Sequence, residues 1–153
     1  MPGRDMTYVA QWIPNQYTTT FIYNSGVDEN GGTENRVVTQ NYGSTMVLPT
    51  LVRVGYVFEG WDPEVPEFKS DENTEHQALW SPAPVTATFD ANGGDEVSEE
   101  TRDYYYKDEL GELPTATKIG YHFIGWFLEP EGIDQVTEET LIEGDTTYYA
   151  KWA

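Results

Sequence analysis

The side chains with the strongest claim to chemistry are three adjacent acid pairs, Asp71-Glu72, Glu99-Glu100 and Glu138-Glu139, and the two histidines, His76 and His122. A glycosidase needs two carboxylates facing each other across a cleft, one of them kept protonated by burial. None of these pairs recurs at an equivalent place in the two halves of the chain, so each reads as an exposed acidic cluster. The histidines lie far apart, and neither belongs to a metal-binding helix pattern such as His-Glu-x-x-His. Two loops gather oxygens around glycine: Asp28-Glu29-Asn30-Gly31 and Asp90-Ala91-Asn92-Gly93-Gly94-Asp95-Glu96. Calcium takes six to eight oxygens. The second loop has Thr101 where an EF-hand loop beginning at Asp90 would end in glutamate. Both loops therefore read as hairpin turns, since Asn-Gly tolerates positive φ. Cysteine is absent, which removes thiol nucleophiles, disulfides and cysteine-based zinc sites. The expectation is no catalytic residue, no metal and no cofactor.

The bulk properties narrow the partners. The 153 residues carry 27 acids against 8 bases, a net charge of −19. Such a surface repels nucleic-acid phosphates and anionic lipid headgroups. No 18-residue apolar run is present to span a membrane. The hydrophobic fraction is only 38%, but 5 Trp, 11 Tyr and 6 Phe are available. Large rings bury much area each, so small aromatic-centred cores are expected.

The elements that must position these groups come in copies. Gly55-Tyr56-Val57-Phe58-Glu59-Gly60-Trp61 and Gly120-Tyr121-His122-Phe123-Ile124-Gly125-Trp126 share the pattern Gly-Tyr-x-Phe-x-Gly-Trp. Each follows a Leu-Pro-Thr, at Leu48–Thr50 and Leu113–Thr115. Thr7-Tyr8-Val9-Ala10-Gln11-Trp12 and Thr147-Tyr148-Tyr149-Ala150-Lys151-Trp152 alternate in period two, the mark of a half-buried strand. Glu75-His76-Gln77-Ala78-Leu79-Trp80 is a looser third copy, with His76 at the position of Tyr148. The organisation predicted is a tag remnant plus the terminal strand of a preceding repeat over 1–16, a divergent repeat over 17–81, a stiff Pro-rich linker over 82–84 and a second repeat over 85–153.

The recurring rings are assigned to the core: Phe21, Tyr56, Phe58, Trp61 and Trp80 in the first repeat, and Phe89, Tyr121, Phe123, Trp126 and Trp152 in the second. Gly60 and Gly125 are expected to make room for, or re-aim, the neighbouring tryptophan. Rings outside the repeated pattern, Tyr104, Tyr105, Tyr106, Phe127 and Tyr149, are the candidate partner surface. The segment from Pro114 to Lys118 is expected to form one helical turn or a connector.

The motifs Thr88–Gly94, Leu113–Thr115, Lys118–Trp126 and Thr146–Trp152 occur in order in the second repeat. They resemble the Listeria–Bacteroides repeat, the B repeat of internalin-B-type surface proteins. Residues 17–80 match more loosely, with Arg53 in place of Lys118. The resemblance implies an α+β, β-dominated fold of tandem β-grasp-like (ubiquitin-like) small domains, each with a short helical element. It also implies an exported, cell-wall-associated fragment of a larger bacterial protein, used as a spacer and as an adhesion or protein-interaction module. The partner would be a surface protein or glycan of a host or neighbouring cell. A carbohydrate-binding module using exposed aromatics is the alternative.

Overall fold

The computed structural model describes residues 3–153. The first repeat forms β1 (Gln16–Ile22), β2 (Val27–Asp28), β3 (Arg36–Asn41), β4 (Leu51–Val52), β5 (Tyr56–Asp62) and β6 (Thr74–Pro82). The second forms β7 (Pro84–Asp90), β8 (Glu96–Val97), β9 (Thr101–Tyr105), β10 (Ala116–Thr117), β11 (Phe123–Phe127) and β12 (Thr146–Trp152). Each repeat makes a four-stranded sheet, ordered β3-β1-β6-β5 or β9-β7-β12-β11, and a two-stranded ribbon, β2-β4 or β8-β10. The two central strands of each sheet are parallel, and β3 with β1, β9 with β7 and β11 with β12 are antiparallel. Phe21 lies opposite His76 in one sheet and Phe89 opposite Tyr148 in the other.

Alternation explains the strands. In β7, Val85, Ala87 and Phe89 are buried, while Thr86 and Thr88 between them are half-buried and line the other face. In β12, Tyr148 and Ala150 are buried on the same rule. The β-branched and aromatic residues suit a pleated surface covered on one side.

The structure corrects the fold class. The described residues contain no helix, so the fold is all-β rather than α+β with a helical element. Where one helical turn or a connector was expected, Ala116 and Thr117 pair with Val97 and Glu96 as β10 and β8. The reason is local. Pro114 and Gly120 leave too few residues for a helix, and the Thr115 carbonyl takes a ladder bond from Ser98 N–H at 2.9 Å. The strand expected over Thr7–Trp12 is also not formed. Those residues are exposed and belong to no strand, because no neighbour supplies a ladder. Met1 and Pro2, within the expected tag remnant, lie outside the described residues.

The chain forms two compact units, Met1–Val52 with Glu59–Leu79, and Arg53–Phe58 with Trp80–Ala153. Within the first, Phe21 meets Trp61 edge-on at 5.0 Å and stacks with His76 at 6.1 Å. Within the second, Phe89 meets Trp126 edge-on at 5.1 Å and stacks with Tyr148 at 5.5 Å. The three-ring arrangement is the same, with His76 replacing Tyr148. A second substitution separates the units. Lys69 and Ile142 hold equivalent places, since each amide donates to the residue two beyond Tyr42 or Tyr106, Ser44 or Asp108. Ile142 is buried among apolar side chains. Lys69 is only 2% exposed, and its Nζ donates to the Glu72 carbonyl at 2.6 Å.

Gly60 and Gly125 adopt φ of +123° and +151°. The second sits at a register shift between Phe123 and Gly125, so it marks a bulge. Beyond it Trp126 and Phe127, though adjacent, are both buried. The chain turns back over them, with Val136 N–H bonded to the Trp126 carbonyl at 2.9 Å and Leu128 N–H to that of Asp134 at 2.9 Å.

Two outcomes follow. Trp126, 1% exposed with its indole N–H on the Pro114 carbonyl at 2.8 Å, should cost about 3–5 kcal/mol when changed to alanine. Urea melts check this, and a shift below about 1 kcal/mol would remove Trp126 from the core. Lys69→Met should raise the stability of the first unit by about 1 kcal/mol, because a buried ammonium is desolvated and an apolar chain of similar length is not. A lower urea midpoint would show the Glu72 contact to be worth more than that desolvation.

Candidate functional site

The acid pairs do not converge. Asp71, Glu72, Glu99, Glu100, Glu138 and Glu139 are all exposed. His122 is exposed at the start of the last hairpin, its N–H on the Ala153 carbonyl at 2.8 Å. His76 is buried, with Nδ1 against the Pro63 carbonyl and Nε2 3.2 Å from Thr74 Oγ1. Among the described residues, no three His, Cys, Asp or Glu side chains group as metal ligands. One pair missed by sequence reasoning comes together in a surface loop. Glu129 Oε2 accepts the Asp134 N–H at 3.0 Å, and the two carboxyls share a hydrogen bond. The Asp134 backbone N–H holds the Glu129 carboxyl below its usual range, and the bond to Glu129 raises that of Asp134. Opposed shifts of this kind suit acid–base chemistry. Here Asp134 is fully exposed, which leaves no dry cleft for it.

The Asp28 carboxylate accepts four hydrogen bonds. Its Oδ1 accepts the N–H of Gly32 at 2.8 Å and of Asn30 at 2.9 Å. Its Oδ2 accepts Tyr23 O–H at 2.9 Å and Arg36 Nη2 at 2.7 Å. The Gly32 N–H leads in lowering its pKa to about 2. Burial first, and then the bond to Asp28, push the Tyr23 phenol up to about 12. Arg36 also bridges to Glu29 at 2.9 Å. Every acceptor direction of Asp28 is occupied from within, so this is a clamp on the Asp28–Gly32 turn, with nothing left for a cation. The turn is an insertion. The true counterpart of Asn92-Gly93-Gly94 is Asn24-Ser25-Gly26: Asn24 and Asn92 both have φ +47°, and each Nδ2 bonds a carbonyl of the last strand, Ala78 at 2.9 Å or Ala150 at 3.0 Å.

The second unit carries an open groove of about 560 Å³ lined by Asp95, Lys118, Ile119, Tyr121, Phe123 and Trp152, among others. Lys118 Nζ stands 4.2 Å over the Tyr121 ring. Sequence reasoning assigned these aromatics to the core. Trp152 and Phe123 are half-buried and in contact at 5.6 Å, but Tyr121 is 53% exposed, which corrects its assignment. The cause is a turn: Tyr121 N–H bonds the Lys118 carbonyl at 3.1 Å, Gly120 has φ +81°, and β11 begins only at Phe123. Lys-x-Gly-Tyr with glycine third is a type II turn signature, so the signal was present in the sequence. The first repeat has the same turn at Arg53–Tyr56, with Gly55 at φ +79°.

The candidate partner rings divide. Phe127 is 5% exposed, so it is core and not surface, covered by the returning loop and by Lys151 at 5.2 Å. Tyr104 is half-buried against the core with its O–H on the Leu110 carbonyl at 2.7 Å. Tyr106 and Tyr149 are half-buried and Tyr105 is exposed. Of the remaining core assignments, Phe21, Phe89 and Trp126 are buried, and Tyr56, Phe58, Trp61 and Trp80 are half-buried, with Phe58 edge-on to Trp80 at 5.4 Å.

Twice-repeated ring clusters, matched turns and grooves without converging catalytic groups define a tandem-repeat β module. The chain belongs to the Listeria-Bacteroides repeat domain family, whose model matches residues 17–74 and 86–151. Two relatives come from Evansella cellulosilytica. One, named "Putative Gly-rich membrane protein", is 31% identical over 99% of this chain and 18% of its own length. The other, named "Putative membrane protein", is 30% identical over 97% of this chain and 23% of its own length. The chain thus spans under a quarter of these relatives.

The Asp28 clamp has a pH signature. Its folded pKa lies below the ordinary value of about 3.9, so its stabilisation is present above that value and is lost as pH falls towards about 2. Asp28→Asn should lower the urea midpoint at pH 7, and the gap to the unaltered protein should close between pH 4 and 2. A gap that stays constant across that window would refute the clamp.

Proposed function

We propose that this chain is a non-catalytic stretch of tandem repeats in an exported, cell-wall-associated bacterial surface protein, serving as a spacer and as a module for adhesion or protein contact. The observation that carries this reading is the reuse of the same ring trio, Phe21–Trp61–His76 and Phe89–Trp126–Tyr148, at equivalent places. The repeated motifs are spent on building two copies of a fold, not on presenting reactive groups. The net charge of −19 supports a solvated surface array and argues against nucleic acid and anionic membranes as partners. Membrane protein names on the longer relatives fit a segment displayed at a cell surface. No helix among the described residues is long and apolar enough to cross a membrane. The partner of such a module would be a surface protein or glycan of a host or neighbouring cell, and no cofactor is required.

A second reading, carbohydrate binding, is favoured by one feature, the open groove with Tyr121, Phe123 and Trp152 along it. Rings of this kind can stack on sugar faces. The two readings part on a glycan array and cell-wall polysaccharide titrations. The spacer and adhesion reading expects no saturable glycan binding that depends on the groove rings Tyr121, Phe123 and Trp152. Saturable binding that disappears in Tyr121→Ala would replace it with the carbohydrate reading.

A further inference from the structure

The second unit contains a joint whose two halves recur, uncovered, elsewhere in the chain. In that unit the Tyr106 ring lies flat against Gly55, so closely that a Cβ there would fall 2.3 Å from the ring. Tyr106 also meets Tyr56 edge-on at 5.5 Å. The backbone continues the contact: Ala83 N–H donates to the Gly55 carbonyl at 2.9 Å, and Tyr106 N–H donates to the Ala83 carbonyl at 2.9 Å. The Gly55-Tyr56 turn, from the first repeat, is thus a socket. Ala83, between β6 and β7, and Tyr106, just after β9, are the head that fills it.

Both halves have counterparts. Gly120-Tyr121 is the same turn with the same glycine φ, +81° against +79°. Here nothing lies within 4 Å of a Cβ built on Gly120, and Tyr121 is 53% exposed. The head recurs as Asn15 and Tyr42. Tyr42 N–H donates to the Asn15 carbonyl at 2.8 Å, as Tyr106 does to Ala83, and Gly43 at φ +76° matches Lys107 at φ +68°. Tyr42 is 59% exposed. The chain leading to this head also repeats: Trp12 stands three residues before Asn15, as Trp80 stands three before Ala83.

We propose that the Gly120-Tyr121 turn is a docking socket for the head of another repeat of the same kind, its tyrosine equivalent to Tyr42 closing on Gly120 and Tyr121 as Tyr106 closes on Gly55 and Tyr56. The occupant follows from the filled example: the same turn on one side, and on the other a tyrosine held by the same backbone bond, from Tyr42 N–H to Asn15 as from Tyr106 N–H to Ala83. An aromatic ring over glycine and edge-on to a second ring buries apolar surface that would otherwise stay wet. The inference deepens the spacer reading and rests on it. Neighbouring repeats would be joined by a contact written into each copy.

The test is a head-to-tail dimer in which residues 1–152 of one copy are followed directly by residues 13–153 of the next. This restores the spacing seen between Trp80 and Ala83. Tyrosine nitration is followed by peptide mass spectrometry. In the single chain, Tyr42 and Tyr121 should nitrate fast, and Tyr56 and Tyr106 slowly. In the linked dimer, half of the Tyr121 and half of the Tyr42 should slow to the rates of Tyr56 and Tyr106. Tyr42→Ala in the second copy alone, a change at an exposed side chain, should return all of the Tyr121 to the fast rate. Uniformly fast Tyr42 and Tyr121 in the dimer would overturn the joint, as would a slow half of Tyr121 that survives Tyr42→Ala. Either failure leaves the spacer reading standing, since that is decided by glycan binding.

Discussion

The parallel pairing of the first and last strand of each repeat is the constraint on which the remaining structure depends. Phe89 and Tyr148 lie side by side across that pairing, yet the chain between them must leave, form two further strands and a ribbon, and return. Parallel neighbours cannot be joined by a tight turn. The long excursion is therefore obligatory, and its closure must be secured by contacts far apart in sequence. The edge-on meeting of Phe89 with Trp126 secures it from one side, and the indole N–H on Pro114 secures it from the other. Bulge, Leu-Pro-Thr segment and returning loop all serve to deliver that one indole.

Much of this was legible in the chain. Repeats, strand alternation and the buried Phe–Trp pairs follow from period-two patterning and from motif spacing. The helical element did not follow, because the segment from Pro114 to Lys118, read as one helical turn or a connector, instead gives Ala116 and Thr117 to a ribbon with Val97 and Glu96. Phe127 was misplaced because it stands outside the repeated pattern, on the face of β11 opposite to Trp126, where the returning loop and Lys151 cover it. Tyr121 was misplaced because its glycine was read as part of a strand, when a positive φ made it part of a turn. The equivalence of Asn24-Ser25-Gly26 with Asn92-Gly93-Gly94 was hidden by a more conspicuous Gly-Gly a few residues on, and only φ values and the bonds to Ala78 and Ala150 disclose it.

The two repeats also show one framework sustained by different chemistry. The second relies on apolar side chains such as Ile142 and Tyr148, with Leu110 and Val136 around them. The first places His76 and Lys69 at equivalent points and adds the four-donor clamp on Asp28. Buried polar groups are costly without partners; the hydroxyl of the fully buried Thr19 finds none within the protein, while His76, Lys69 and Asp28 have them. The carbonyls of Pro63 and Glu72 and the hydroxyl of Tyr23 provide those partners. The looser sequence match of the first repeat thus reflects a change in how the interior is satisfied, while strand order is kept.

The segment Ser81-Pro82-Ala83-Pro84 bears on durability. Proteases seize a substrate as an added strand, through its free amide donors and acceptors. Pro82 and Pro84 have no amide to give. The one amide between them, that of Ala83, is spent on Gly55, and the Ala83 carbonyl is taken by Tyr106. Passages from one repeat to the next are where a string of small domains is usually cut. Here that passage presents a protease with almost no unengaged backbone.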